Sequence, residues 1–238
     1  DVVVVSYNSR AHLRACVAPL SSLAGCEVTV VDNASADGSL AAIADLPVRA
    51  MPRTTNGGFA VACNEGWRAG SAPSVLFLNP DATIDEGSLR ALESVLEVDP
   101  AVAAVAPRIA HPDGTLARSL RRFPTPRSTF AQALFLHRLF PRSAWSGEVV
   151  ADENAYEGPC SPEWVSGACL LVRRSALVEL GGWDEGFFLY GEDVDLCRRL
   201  RDAGHELRFE PAARAVHHEG ASSTSSSSLP LLAVARIR

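Results

Sequence analysis

The chain alternates short apolar runs with longer stretches whose apolar positions fall at helical spacing. Val2-Val3-Val4-Val5 contains no polar residue, the pattern of a strand covered on both faces. Leucines and alanines recur through residues 9–24 as one helix face. Residues 27–32 read as a second strand and 33–38, Asn-Ala-Ser-Ala-Asp-Gly, as a turn. The pattern then predicts a helix through about residue 45, a short strand over 47–51 and a helix opened by Asn56-Gly57-Gly58-Phe59 and running to Ala69. A strand over 75–78, a helix over 86–97 and a strand over 101–106 follow. Strands and helices alternating at this spacing predict an α/β fold with a mainly parallel, doubly wound sheet.

Beyond residue 107 the rhythm changes. His111-Pro112-Asp113-Gly114 reads as a hairpin turn, and 118–127 is rich in Arg and Pro. Residues 128–140 fit an amphipathic helix with Phe130, Leu134, Phe135 and Leu139 on one side. A loop over 141–162 leads to a strand over 164–172, helices over 174–180 and 191–203, and strands near 206–210 and 213–217. The Ser-rich stretch 222–228 is expected to be mobile. The pattern fits one domain over 1–221 with a tail at 222–238.

Composition narrows the chemistry. The 238 residues carry a net charge of −6, which argues against a nucleic-acid partner. All 22 basic residues are arginine, so Schiff-base chemistry and a lysine P-loop are excluded. Six scattered cysteines without a C-x-x-C pair read as reduced thiols, hence a cytoplasmic expectation. The sequence has no apolar run of about 18 residues.

In open α/β sheets, ligands bind beyond the carboxyl ends of the strands. Ser6, Tyr7 and Asn8 follow the first strand, Asp32 ends the second, Asn56 and Gly57 open the third helix, and Asn79 and Asp81 follow the fourth strand. Asp32 suits either a ribose or base contact or a turn cap. Asn79 and Asp81, two apart, project to one side of an extended backbone and suit a hard cation such as Mg²⁺ or Mn²⁺, although Asn-Pro-Asp is also a common turn. Glu192, Asp193 and Asp195 open a helix closed by Arg198, Arg199 and Arg201. Acids there complement the helix dipole whatever else they do. Asp193 and Asp195 lie about 200° apart around the helix, so only one faces a given pocket, and Asp193 is taken as the inward one. The loop 181–188 is an aromatic stretch that suits either a pocket wall or the core. His217 and His218 point opposite ways in an extended chain, so one of them serves as a metal or phosphate contact.

Six segments in order resemble the inverting family-2 glycosyltransferases of GT-A fold, most closely the rhamnosyltransferase-like branch. They are Val31-Asp32-Asn33-Ala34-Ser35, Asn56-Gly57-Gly58-Phe59-Ala60 with Asn64, Leu78-Asn79-Pro80-Asp81, Val165-Ser166-Gly167-Ala168, Gly191-Glu192-Asp193-Val194-Asp195-Leu196, and His217. The resemblance implies a nucleotide-sugar half over 1–106 and an acceptor half over 107–221. It implies that Asp32 reads the nucleoside base, that Ser6, Tyr7 and Asn8 lie along the nucleotide, and that Asn56, Gly57 and Asn79 approach the donor. Asp81 and His217 take the metal, Mn²⁺ or Mg²⁺, with Asn79 where many members carry a second aspartate. Asp193 resembles the catalytic base, and Gly167, Ala168, Trp183 and Glu192 belong on the acceptor side. The implied reaction moves a sugar from a nucleotide diphosphate, dTDP-rhamnose or a UDP-sugar, to a glycan or lipid-linked acceptor in cell-surface polysaccharide synthesis.

Two other classes stay open on the residues. A sugar-nucleotide pyrophosphorylase favours a glycine-rich loop and a basic residue near the first strand, where this chain has Ser6-Tyr7-Asn8-Ser9-Arg10. An inactive nucleotide-sugar-binding module predicts damage at the base or metal positions, yet Asp81, Asp193 and His217 are all present. The stretch 118–140 suits either peripheral contact with a membrane-borne acceptor or a solvated loop followed by a packing helix.

Overall fold

The computed structural model describes residues 1–136, 143, 145 and 147–218. The strands are β1 (Val2–Ser6), β2 (Val28–Asp32), β3 (Arg49–Pro52), β4 (Ser74–Leu78), β5 (Ala82–Ile84), β6 (Val102–Ala110), β7 (Leu120–Arg121), β8 (Trp164–Val165), β9 (Cys169–Arg173) and β10 (Glu206–His217). The α-helices are α1 (Arg10–Ser21), α2 (Phe59–Arg68), α3 (Glu86–Val98), α4 (Pro126–Ala133), α5 (Arg174–Leu180) and α6 (Glu192–Asp202). Eight strands form one sheet in the order β3-β2-β1-β4-β9-β6-β10-β5, and β7 and β8 form a separate two-stranded ribbon.

The valine run of β1 is buried throughout, as its sequence predicts. Alternate side chains pass to opposite faces. Val2 and Val4 belong to one core with Leu13, Val17 and Leu20 of α1 and Leu89, Leu92 and Leu96 of α3. Val3 and Val5 belong to the other core, with Cys63 and Trp67 of α2 and Leu196, Cys197 and Leu200 of α6. Helices on both faces explain why the central strands carry no polar alternation.

Several expectations change. The sheet is parallel across β3-β2-β1-β4 and between β6 and β10, but β9 runs antiparallel between β4 and β6, and β5 runs antiparallel to β10. The single strand expected over 164–172 is two strands. Val165 pairs with Leu120 in the ribbon, Cys169 pairs with Leu78 in the main sheet, and the chain crosses between them at Ser166-Gly167-Ala168. The two strands expected over 206–217 are one, with an irregularity between Glu210 and Arg214 that holds the chain in the sheet. The helix expected to residue 45 is a short 3-10 turn, Leu40–Ile43.

The helix expected over 128–140 is α4, which ends at Ala133; Phe135 has φ 57°, outside helical backbone. Its predicted core face is absent: Phe130 and Leu134 are 66% and 53% exposed, and Phe135 is exposed too. Leu139 and the serine stretch 222–228 lie outside the described residues. All six cysteines are free. Among the described residues, no helix is long and apolar enough to cross a membrane.

Candidate functional site

The carboxyl ends of β1, β2 and β4, the far end of β10, the 166–168 turn and the first turn of α6 meet along one edge of the sheet. Hydrogen bonds trace the junction. Asp81 Oδ1 lies 3.1 Å from His217 Nε2. The Asn79 N–H donates to the Ala168 carbonyl at 2.9 Å. The neighbouring Gly167 N–H donates to Asp193 Oδ2 at 3.2 Å. The three positions on which the sequence argument rests, 81, 193 and 217, are therefore linked through one turn.

Asp81 is almost fully buried, and its Oδ2 has no hydrogen-bond partner. Burying a carboxylate oxygen without a partner is costly. His217 Nε2 sits 3.3 Å from Asn79 Nδ2 as well as beside Asp81. One ring nitrogen cannot both donate to the acid and accept from the amide. Two ligands at about 2.1 Å and at right angles stand about 3 Å apart, close to the Asp81–His217 separation. A carboxylate, an imidazole and an amide therefore fit a divalent cation of the Mg²⁺ or Mn²⁺ type. Among the described residues, no group of three His, Cys, Asp or Glu is placed to hold a metal, so further ligands would come from substrate oxygens or water. His218 turns away, its ring 5.2 Å from that of His12.

At the ends of β1 and β2, both carboxylate oxygens of Asp32 accept hydrogen bonds from Ser35, one from the hydroxyl at 2.6 Å and one from the backbone at 3.0 Å. The turn-cap role is thus realised, and it fixes the acid at the mouth of the site. Asn8, with φ 52°, takes the Ser35 hydroxyl with its N–H and accepts from Ala36 N–H, joining the loops after β1 and β2. Ser6 presents a buried hydroxyl without a partner, and Tyr7 is exposed. Asn56 Oδ1 accepts from Gly58 N–H. Asn33 clamps the same loop, accepting from Gly57 N–H and donating to the Gly58 carbonyl.

Gly58 is required where it stands. Its φ is 90°, and an added Cβ would lie 2.5 Å from the Phe188 carbonyl, which accepts from Phe59 N–H. A second tie is Asn64. Its amide nitrogen donates to the Trp183 carbonyl and to Glu185, and its oxygen accepts from Trp183 N–H and Trp67 Nε1. Each partner orphaned by its loss would cost about 1–3 kcal/mol. The ring of Trp183 is 2% exposed, edge-on to Phe59 and Phe77. It packs inward and has almost no surface to offer a ligand, and Ala168 is buried likewise.

Asp193 opens α6, and burial pushes its carboxyl above the ordinary range; the N–H groups of Gly167 and Val194 and the charge of Arg121 pull the other way. Asp195 faces elsewhere and pairs with Arg199 at 2.7 Å. Glu192 is buried with one oxygen unpartnered, and burial raises its pKa to about 7. Its folded pKa lies above the unfolded value of about 4.3, so the protonated acid favours folding at low pH and that contribution is lost as pH rises through about 7. Glu192→Gln should therefore gain up to about 3 kcal/mol over wild type at pH 8 and little at pH 5, read by melting at the two pH values.

Sequence reasoning did not single out Arg121 or the clamp role of Asn33. Arg121 stacks over Trp164 at 5.7 Å and has a buried, unpartnered Nε. Nothing in the string separates it from Arg122. Asn33 did carry a signal, a polar residue directly after a fully buried strand.

The pattern described as Glycosyl transferase family 2 matches residues 1–180. This chain belongs to that family. The transferase is 36% identical over 233 residues to N-acetylglucosaminyl-diphospho-decaprenol L-rhamnosyltransferase of Mycobacterium tuberculosis (strain CDC 1551 / Oshkosh), covering 92% of this chain and 75% of that protein. It is 31% identical over 170 residues to Rhamnosyltransferase WbbL of Escherichia coli (strain K12), covering 68% of the chain and 59% of the relative. Among solved structures it resembles GalNAc-T7 with UDP, GalNAc and Mn²⁺, at a TM-score of 0.65 and 17% identity, over 91% of this chain and 43% of that one. It also resembles the mannosyltransferase PcManGT from Pyrobaculum calidifontis in complex with GDP-Man and Mn²⁺, at 0.60 and 20%, over 91% and 55%. The fold is GT-A, and the transferase spans about half the length of those two solved chains. Family membership decides for sugar transfer over the pyrophosphorylase.

Proposed function

We propose that the transferase moves a sugar, with inversion, from a nucleotide-diphosphate donor to a hydroxyl of a lipid-linked saccharide. The observation that carries this is the hydrogen-bonded path from Asp81 and His217 through the 168–167 turn to Asp193. Residues 1–106 hold the nucleotide sugar and 107–221 the acceptor. Asp32 meets the nucleoside, Ser6, Tyr7 and Asn8 line the nucleotide, and Asn56, Gly57 and Asn79 approach the donor.

Asp193 accepts the proton of the acceptor hydroxyl as that oxygen attacks the anomeric carbon. The Gly167 N–H orients the carboxylate, and its raised pKa makes it a stronger base than a solvated aspartate. Asp81 and His217, with Asn79 beside them, would hold Mn²⁺ or Mg²⁺, which when bound offsets charge on the departing diphosphate. Gly167 and Glu192 border the acceptor side. The names of the rhamnosyltransferase relatives support a rhamnosyl donor of the dTDP type ahead of UDP-sugars, and a lipid diphosphate saccharide as acceptor.

Incubation with dTDP-rhamnose or UDP-sugars and Mn²⁺ tests the reading. Slow release of free nucleoside diphosphate, accelerated by a polyprenyl-diphosphate saccharide, is expected, and no release from any nucleotide sugar overturns it. A finer test concerns Arg121. Removing its charge raises the Asp193 pKa further, so in Arg121→Gln the acid limb of kcat/KM should move to higher pH. An unmoved limb would separate Arg121 from the base.

A further inference from the structure

We propose that the segment from Arg118 into α4 docks on the headgroup region of an anionic phospholipid bilayer. Between Gly114 and Phe135 the sequence places four arginines and no aspartate or glutamate, although the whole chain is acidic. The helix in this stretch is inside out. α4 turns Ser128 and Ala131 to the interior, while Phe130 and Leu134, one turn apart on a single stripe, face outward. Arg118 and Arg127 are exposed on the same segment; Arg118 reaches Glu153 at 3.4 Å, and Arg127 lies over the Trp145 ring at 5.2 Å.

Apolar side chains directed outward among cations match the polar–apolar boundary of a bilayer with anionic lipids. A second copy of this chain fits less well, because two such segments would bring like charges together. The placement is also continuous with the acceptor side. Arg121 pairs across the ribbon with Trp164, three residues before Gly167, whose N–H reaches Asp193. The inference does not rest on the transfer reading, since docking is measured without turnover.

The test is sedimentation of the full chain with vesicles of phosphatidylglycerol and phosphatidylcholine, and with phosphatidylcholine alone. Binding to the anionic vesicles that weakens with added salt is expected. Arg118→Gln with Arg127→Gln should lower partitioning about 5-fold for each charge removed. Phe130→Ser with Leu134→Ser should lower it on the order of 10-fold. These side chains are exposed, so both variants should melt with wild type and keep nucleotide-sugar cleavage. No sedimentation with anionic vesicles, equal binding to phosphatidylcholine alone, or unchanged partitioning in both variants overturns the proposal. Self-association abolished by the Phe130 and Leu134 changes, without vesicle binding, assigns the face to a second copy and also overturns it.

Discussion

Asp193→Asn should lower transfer by about 10²–10⁴-fold while leaving nucleotide affinity within a few-fold of wild type. The substitution keeps the shape of the side chain, and its oxygen can still accept from the Gly167 N–H while the Val194 N–H loses its acceptor. What it removes is the lone pair that takes the acceptor proton, because an amide is not a base at neutral pH. The loss should fall on kcat, with KM for the donor little changed. Asp195→Asn is the paired control. Asp195 is committed to Arg199 on another side of the helix, so its loss should cost stability and not chemistry. Transfer kinetics with melting curves for both variants decide the matter: near-normal turnover in Asp193→Asn, or equal loss in both, sinks the role assigned to Asp193.

The second large effect is expected at Asp81→Ala. Loss of an outer hydrogen bond to a metal ligand typically costs 10–100-fold in metal affinity, so loss of a ligand should cost about 100-fold or more. Nucleotide diphosphate binding measured with Mn²⁺ should fall accordingly, while binding measured in a chelator should barely move. Equal losses in both conditions would argue against ligation. Without metal the change in stability should be small, since discarding a buried carboxylate oxygen with no partner is set against losing the contact with His217. His217→Ala should repeat the metal-dependent loss more weakly, because the imidazole carries no formal charge to oppose the cation.

The elements legible in the sequence were those whose environment is uniform along their length. β1 is covered on both faces, so four valines announced it; α3 and α6 have one wet face and one dry one, so their periodicity sufficed. The antiparallel insertion of β9 left no mark, because a strand buried on both sides reads the same in either direction. The break at Ser166-Gly167-Ala168 was invisible for a related reason: the apolar residues on either side belong to different sheets but share one composition. At the site, Asp32, Asp81, Asp193 and His217 stood out because acids and imidazoles at strand and helix ends are conspicuous. Aromatic residues among glycines, as at Trp183, look like a pocket wall in sequence, but here the ring packs inward. For α4, periodicity gave an apolar stripe but not the direction in which it points; that depends on neighbours distant in sequence.

Asn64 has a mechanical consequence. Three of its four hydrogen bonds bind α2 to the turn that precedes α6, and the fourth, from Trp67, stays within α2, so the two helices act as one strut. In the proposed reaction, donor contacts at Asn56 and Gly57 would load one end of that strut, and the carboxylate of Asp193 would ride on the other.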